Sequence, residues 1–444
     1  MTYLPIRSLR ALAVAAGLAV PPLAGAFADE PAEAPPAAAE PKLLLGDLGG
    51  LRPKLAAQGI DLGITYIGEA FGNVTGGVRR GAVYEGQLGV SLDADLGKLV
   101  GWPGAKAHVN AIEIHGSGPS ADLLGGNLMT VSNIEARPTL RLYALWLEQN
   151  FADDRLSVRI GQLAADAEFI TSNTAGGLIN GTFGWPLLTA ADTRGGGPAY
   201  PLPQPGVRLQ AKSAEDVTVR AALFSAQPGG RGCTGNPQVC DPHGVAFSLS
   251  GGTLWLAEAE YDANAGKNAA GLPGAYKLGG WRETGAFADQ LSGALDRSGD
   301  WGVYGIVDQM IWRRAGTEDQ GVSVFVRLGG APSDRNLVSF YADGGIGFKA
   351  PFAERPGDVL TLGAAYGRIS GDAALADRLA GPPTPVRDHE ALIELSYAAA
   401  IKPGWTLQPD LQYVIHPGGN VLAPNGGGVI GNALIFGLRT SLAF

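Results

Sequence analysis

Arginines set one residue away from aliphatic side chains are the chemistry-bearing feature that recurs most often in this chain. Arg159 in RLSVRIGQ, Arg208 in GVRLQAK, Arg220 in VTVRAALF, Arg327 in VSVFVRL and Arg439 in ALIFGLRTSLAF all alternate with Leu, Val, Ile or Phe. A guanidinium is a planar fork of donors that reaches two oxygens of one solute, and a carboxylate accepts from hydroxyls. Further candidates for contact with a solute are Glu69, Asn73 and the pair Arg79 and Arg80. Asp192 and Arg194 join them from the glycine-rich ADTRGGGPAYP stretch, with Trp185 as a flat apolar platform. Fixed donors, acceptors and an indole face suit reversible contact with a polar solute. Covalent chemistry has less support: the five histidines, His108, His115, His243, His389 and His416, are scattered, and no Gly-x-Ser-x-Gly elbow is present. A phosphate loop with its Lys, a CxxC pair and an HExxH pair are also absent from the sequence. The expectation is therefore a protein that is not an enzyme and holds neither cofactor nor metal, with His416 in VIHPGG serving structural hydrogen bonds where a strand ends.

Composition narrows the class. The chain has 444 residues, 67 of them Gly, with 17% charged and 45% hydrophobic residues, and a net charge of −9 that becomes −11 once Arg7 and Arg10 are set aside. An acidic balance disfavours nucleic acid, which calls for clustered Lys and Arg. Arg7, Arg10, the apolar LAVAAGLAV stretch and Ala26-Phe27-Ala28 read as a secretory signal over residues 1–28, since the apolar run is shorter than the roughly 20 residues of a spanning helix. Residues 29–45, beginning DEPAEAPPAAAEPK, read as a Pro- and Ala-rich periplasmic tether, and residues 46–444 as the folded body. In an exported chain Cys233 and Cys240 of CTGNPQVC are expected to close a small loop as a disulfide, because two thiols and His243 would leave tetrahedral zinc a ligand short.

The elements that must position these side chains are strands. In DLGITYIGE, Leu62, Ile64 and Tyr66 oppose Asp61, Thr65 and Glu69; in EGQLGVSLDADL, Leu88, Val90, Leu92 and Ala94 oppose Gln87, Ser91, Asp93 and Asp95. TLQPDLQYV and the closing ALIFGLRTSLAF repeat the pattern. Arginine facing lipid near the bilayer midplane costs about 2–4 kcal/mol per residue, yet in an aqueous lumen it is tolerated. Strands oily on one face and charged on the other therefore close into a transmembrane antiparallel β-barrel, an all-β fold with no unpaired edge in hydrocarbon. About seventeen segments alternate and barrels of this class favour even numbers, so about sixteen strands are expected, with eighteen the alternative, around a water-filled lumen. In AKAHVNAIEIH the polar parity changes between Asn110 and Glu113, which predicts a bulge or an exit from the bilayer. Trp102, Trp146, Trp281, Trp301, Trp312 and Trp405 fall near segment ends and are expected in interfacial girdles, and residues 370–380 in a short loop helix.

From Gly46 to Phe444 the chain resembles the carbohydrate-selective porins of bacterial outer membranes, the OprB family. The likeness runs through GDLGGLRPKLAAQGIDL, GEAFGNVTGG, TVSNIEARPTLRLYALWLEQ, IGQLAADAEF, GTFGWP, GPAYPLPQPGVRL, YKLGGWRETGAF, GVYGIVDQMIW and PDLQYVIHPGG. The resemblance implies a barrel in a Gram-negative outer membrane through which small sugars diffuse passively past a narrowed eyelet. Glu69 and Trp185 lie in the family-like motifs, and Phe444 looks like the C-terminal aromatic signal read by the barrel-insertion machinery. Implied partners are small sugars, outer-membrane lipid and lipopolysaccharide, with the porin a monomer or a trimer. The family's GDWGG stands here as GDLGG, with Leu48 in place of Trp, which loosens any inference to glucose in particular. A porin of the same fold tuned to organic anions by its inward arginines, or a barrel enzyme, are the alternative expectations.

Overall fold

The structure is a computed structural model that describes residues 43–265, 269, 271–424 and 426–444, so the expected signal sequence and the expected tether through residue 42 lie outside the described residues. Strands β1 (Ile60–Gly77), β2 (Gly81–Asp95), β3 (Ala105–Gly116), β4 (Thr139–Phe151), β5 (Leu156–Leu163), β6 (Gln204–Ala214), β7 (Val217–Ser225) and β8 (Thr253–Ala263) form the first half of the wall. The second half is β9 (Gly274–Phe287), β10 (Arg297–Arg313), β11 (Gly321–Gly330), β12 (Val338–Lys349), β13 (Val359–Ile369), β14 (His389–Lys402), β15 (Trp405–Ile415) and β16 (Gly431–Ala443). Each strand pairs antiparallel with its neighbours in sequence, and β1 also pairs with β16, giving a closed barrel of the expected sixteen strands.

The parity argument holds at the level of single residues. Phe436 and Leu438 are 53% and 45% exposed on the outer wall, whereas Ile435 and Arg439, on the other face, are 0% and 7% exposed. Arg159, Arg208, Arg220, Arg327 and Arg439 all turn inward. β3 itself keeps one parity, pairing with β2 without a register shift, so that Asn110 and Ile112 line the lumen and Glu113 falls on the other face; the bulge lies in the partner strand, where Asn110 and Ala111 pair with Ala144 and Leu142 and Tyr143 of β4 is the extra residue. A bulge re-aims the side chains beyond it. Trp146 consequently faces the lumen, not the bilayer interface as its place near a segment end suggested, and Trp281, only 4% exposed, also turns inward. Trp102, Trp301 and Trp312 are about half exposed on the outside, as a girdle requires.

Long connections gather at one end of the barrel, over 117–138, 164–203, 226–252, 370–388 and 416–430, while the other end has short ones such as 152–155, 215–216 and 403–404. In outer-membrane barrels the long end faces outward and the short end the periplasm. The connection 370–388 carries the expected helix, Gly371–Ala380, capped by Ser370 Oγ, which accepts from Ala373 N at 3.3 Å. Because β5 is short, the outer half of β4 pairs with β3 but has no strand on its other edge; the 226–252 connection covers that edge, with His243 O accepting from Leu142 N at 2.9 Å. Cys233 and Cys240 are joined to each other within that connection, so neither sulfur is a thiolate ligand.

The apolar core lies inside the barrel because the 164–203 connection folds into it. Phe169, Ile179, Phe183, Leu187 and Leu188 pack against Phe325, Tyr341, Val338 and Leu392 of the far wall, all at most 2% exposed. Glycines on the inner face of that wall make the space. A Cβ on Gly363 would stand 2.4 Å from Leu178, and one on Gly367 2.4 Å from Leu187. Part of the high glycine content thus serves close packing between wall and insert.

Candidate functional site

With the outer part of the far wall covered by the insert, the free lumen lies along β1–β8 toward the long-connection end, and a further space of about 580 Å³ lies toward the short-connection end among Asp262, Asp308, Ser323, Thr361 and Gln408. A cavity of about 540 Å³ is bounded by the wall residues Gln87, Asn110 and Tyr143, by Asn133 and Glu135 of the 117–138 connection, and by Trp185 and Tyr200 of the insert. A second of about 240 Å³ shares Asn110 and Tyr143 with the first and adds His108, Trp146, Arg159 and Arg208. A third, about 350 Å³, shares Arg159, Glu168 and Arg208 with the second. The shared linings place the three next to one another.

The first cavity combines flat apolar faces with amide and hydroxyl groups, and Glu135, Asp166 and Arg439 also line it. Trp185 follows a turn of helix at Gly181–Gly184, and its Nε1 donates to Gly196 O at 2.9 Å, which fixes the ring against the glycine-rich stretch. Tyr200 donates its hydroxyl to Ile134 O at 2.7 Å, and its ring lies 5.9 Å from that of Tyr143. Asn133 presents an amide whose Oδ1 accepts from Arg439 at 2.5 Å. Desolvation by the surrounding wall, reinforced by the nearby Glu69 carboxylate, pushes the Glu135 carboxyl up to about 7, against the pull of Ser120 N and Oγ, which donate to it at 3.0 and 2.6 Å.

That value sets a pH dependence with a definite sign. Between the ordinary carboxylate range and about 7 the folded chain holds a proton that the unfolded chain has lost, so Glu135 makes stability fall as pH rises through that window. Above it the cavity gains a negative charge. Reversal potentials in a KCl gradient should shift toward cation preference between pH 5.5 and 8 in the wild type. The same shift in a Glu135→Gln channel would assign it to another group.

The second and third cavities are lined by charges of both signs. Glu148 and Glu168 face Arg159 and Arg208 across a four-membered network. Arg159 meets Glu148 and Glu168 at 2.5 Å each, and Arg208 reaches Glu168 at 2.7 Å and Glu148 at 3.2 Å. Arg159 also covers the Trp146 ring at 3.9 Å, with His108 stacked on the same indole at 4.9 Å. Arg220 pairs with Glu258 and Glu260, Arg327 with Asp343, and Arg439 with Glu69, whereas Arg141, 2% exposed in the outer half of β4, has no carboxylate partner among the described residues and donates to Asp241 O at 3.2 Å.

Of the residues singled out in the sequence, Trp185 lines the first cavity, and Arg159 and Arg208 line the other two. Glu69 is fully buried, its carboxylate taken by Arg439 and by Ser132 Oγ at 2.6 Å, so it anchors the 117–138 connection to the wall. Asn73 spans the β1–β2 turn, donating to Gly76 O and Arg79 O at 3.0 and 2.9 Å. Arg79 and Arg80 sit exposed on that turn at the outer rim, away from the cavity linings. Asp192 accepts from Val338 N at 3.1 Å, and Arg194 clamps the insert through Glu283, Gly251 O and Thr284 O. Tyr143, Tyr200, Asn133 and Glu135 are not among the residues singled out in the sequence. Tyr143 has a signal in its own strand, where the aliphatic parity passes from Leu140 and Leu142 to Leu145 and Leu147; the others come from connections whose inward course only long-range packing decides.

A lumen narrowed by an inserted connection and lined with indole, phenol, amide and charges of both signs is the geometry of a selective diffusion channel. Residues 79–444 match the family model described as carbohydrate-selective porin, OprB family. The chain belongs to that family. It is 27% identical over 451 residues to Porin B of Pseudomonas aeruginosa, covering 91% of each chain. The high-pH structure of Pseudomonas putida OprB superposes with a TM-score of 0.78 at 25% identity, covering 92% of this chain and 99% of that one. The low-pH structure of the same protein gives 0.57 at 20% identity, over 91% of this chain and 98% of that one, and shares the fold. The porin is therefore a non-enzymatic, carbohydrate-selective channel of the Gram-negative outer membrane.

Proposed function

We propose that the porin passes small sugars one at a time through the 540 Å³ cavity, with Trp185, Tyr143 and Tyr200 as stacking surfaces for the C–H faces and Asn133 and Glu135 as partners for the hydroxyls. Arg159 and Arg208, held in their carboxylate network, serve the second stage as fixed donors rather than as a free positive field. The observation that carries the reading is the pairing: every inward arginine predicted from parity has a carboxylate partner, so the lumen offers a neutral solute many hydrogen bonds and an anion little net attraction. Binding stays shallow because a sugar must leave as readily as it enters. Which sugar is preferred follows from cavity shape, and Phe444, Trp301 and Trp312 are assigned to insertion and to the lipid boundary.

Liposome swelling distinguishes this from the anion reading. Proteoliposomes should swell faster in monosaccharides than in dicarboxylates or amino acids of equal size. Faster swelling in dicarboxylates would transfer the function to organic acids, and rates ordered by size alone would reduce the channel to a sieve.

A further inference from the structure

Three side chains that sugar passage leaves unused meet at the outer end of β14. Asp388 and His389 stand where the chain enters β14, and His416 where it leaves β15. His416 Nδ1 lies 3.0 Å and His389 Nδ1 3.4 Å from the same oxygen, Asp388 Oδ1. One donor atom from each residue falls within 4.8 Å of the other two, and the imidazole centroids are 4.7 Å apart. Ligands bound tetrahedrally to zinc at about 2.0–2.1 Å stand roughly 3.3 Å from one another. The two histidine–aspartate separations bracket that spacing, and the donor atoms of the two imidazoles lie within 4.8 Å of each other, so side-chain rotation must bring the rings to the same spacing for an ion to be held.

Within the cluster His389 N donates to Asp388 Oδ1 at 2.6 Å, and further bonds hold the positions from outside it. Asp388 N donates to Gly419 O at 3.1 Å and Ile369 N to Asp388 O at 2.8 Å, while His416 N donates to Asn432 Oδ1 at 3.0 Å. The Tyr366 ring stacks on His389 at 5.2 Å. His416 itself takes φ 50°, a left-handed conformation that costs a non-glycine residue energy and here turns the ring toward Asp388. His389 shares its parity with Ile393 and Leu395, which are exposed on the outer wall, while Glu390 and Glu394 face the lumen at 0% exposure. The cluster is thus on the outside of the rim, with side chains 28%, 35% and 45% accessible at His389, His416 and Asp388, and ions reach it without entering the channel.

We propose that Asp388, His389 and His416 bind one divalent cation of the zinc class, through two imidazoles and one carboxylate, with a fourth position left to water. Bound there, the ion ties the 416–430 connection to β14 at the channel's outer mouth. Two nitrogen donors select zinc, nickel or copper over calcium and magnesium, which are held by oxygen. Arg368, opposite His389 in the β13–β14 register, is the neighbouring cation and opposes the ion's charge.

The test uses tag-free chain folded in detergent at pH 7.5, titrated calorimetrically with zinc chloride and, separately, calcium chloride. One saturable zinc site per chain is expected, with no calcium binding at the same concentrations. His389→Ala and His416→Ala should each weaken zinc at least tenfold, and Arg368→Ala should tighten it. Cobalt added to the wild type should give the visible absorption of a tetrahedral site, a readout that depends on no variant. Zinc should raise the melting temperature of the wild type but not of His416→Ala, and sugar swelling rates should be unchanged in either histidine variant, which separates this site from the transport reading. Failure of the wild type to bind zinc saturably, or undiminished binding with both histidines replaced, overturns the assignment.

Discussion

Replacing Arg327 with Ala should release the inserted segment and widen the channel, raising single-channel conductance at least twofold. Arg327 is 1% exposed and holds the insert at two points, donating to Ile170 O at 3.0 Å and Thr182 O at 3.1 Å. Its Nε also meets Asp343 Oδ1 at 3.0 Å, and Asp343 in turn accepts from the Tyr341 hydroxyl at 2.8 Å. Removing one member of such a buried pair strands the other charge, at a cost of about 3–5 kcal/mol. The barrel wall, closed by its own ladder, survives that loss; the insert, held by side chains, does not. Heat-modifiability on gels should therefore show a lower unfolding temperature together with the larger conductance. Arg327→Met combined with Asp343→Leu removes both charges and should recover most of the stability, because well-packed apolar groups replace buried ion pairs at little cost. A conductance equal to wild type in Arg327→Ala would show that the insert is held by its apolar packing alone.

The wall was legible because a strand has a side-chain period of two and a bilayer penalises every error in it. Arg159, Arg208, Arg220, Arg327 and Arg439 could face only one way, and those positions oriented the strands that carry them. The lumen was less legible for the same reason that it works. Glu69 and Arg194 have the charge and motif context of solute-binding residues, but whether a charged side chain contacts solute or clamps a connection depends on partners far away in sequence: Arg439 for Glu69, and Glu283 for Arg194. Trp146 was misplaced by a single extra residue in β4, since one bulge exchanges the two faces of everything beyond it. The outer-rim histidines are separated by the remaining 13 residues of β14 and the whole of β15, and no spacing rule for adjacent ligands connects them.

Trp185→Ala should cost more sugar affinity than any other single change in the first cavity. The indole is 9% exposed, yet its ring forms part of the lining, and the bond from Nε1 to Gly196 O prevents it from rotating away. An aromatic face against the C–H side of a sugar contributes about 1–2 kcal/mol from stacking and excluded water, so the concentration for half-maximal block of ion current should rise roughly 5–30-fold. Ion conductance without sugar should rise only modestly, because the insert remains anchored by Arg327 and the lumen gains the volume of one ring. Trp185→Phe keeps a platform but loses the bond to Gly196, and should fall between the two. Flux carries a second signature: a weaker site fills less at low sugar but empties faster, so the variant should transport less than wild type in dilute sugar and more at saturation. If both Trp185 variants block with wild-type affinity, the stacking surface lies elsewhere, and the Tyr143 and Tyr200 pair is the next place on this lining where an aromatic face meets the lumen.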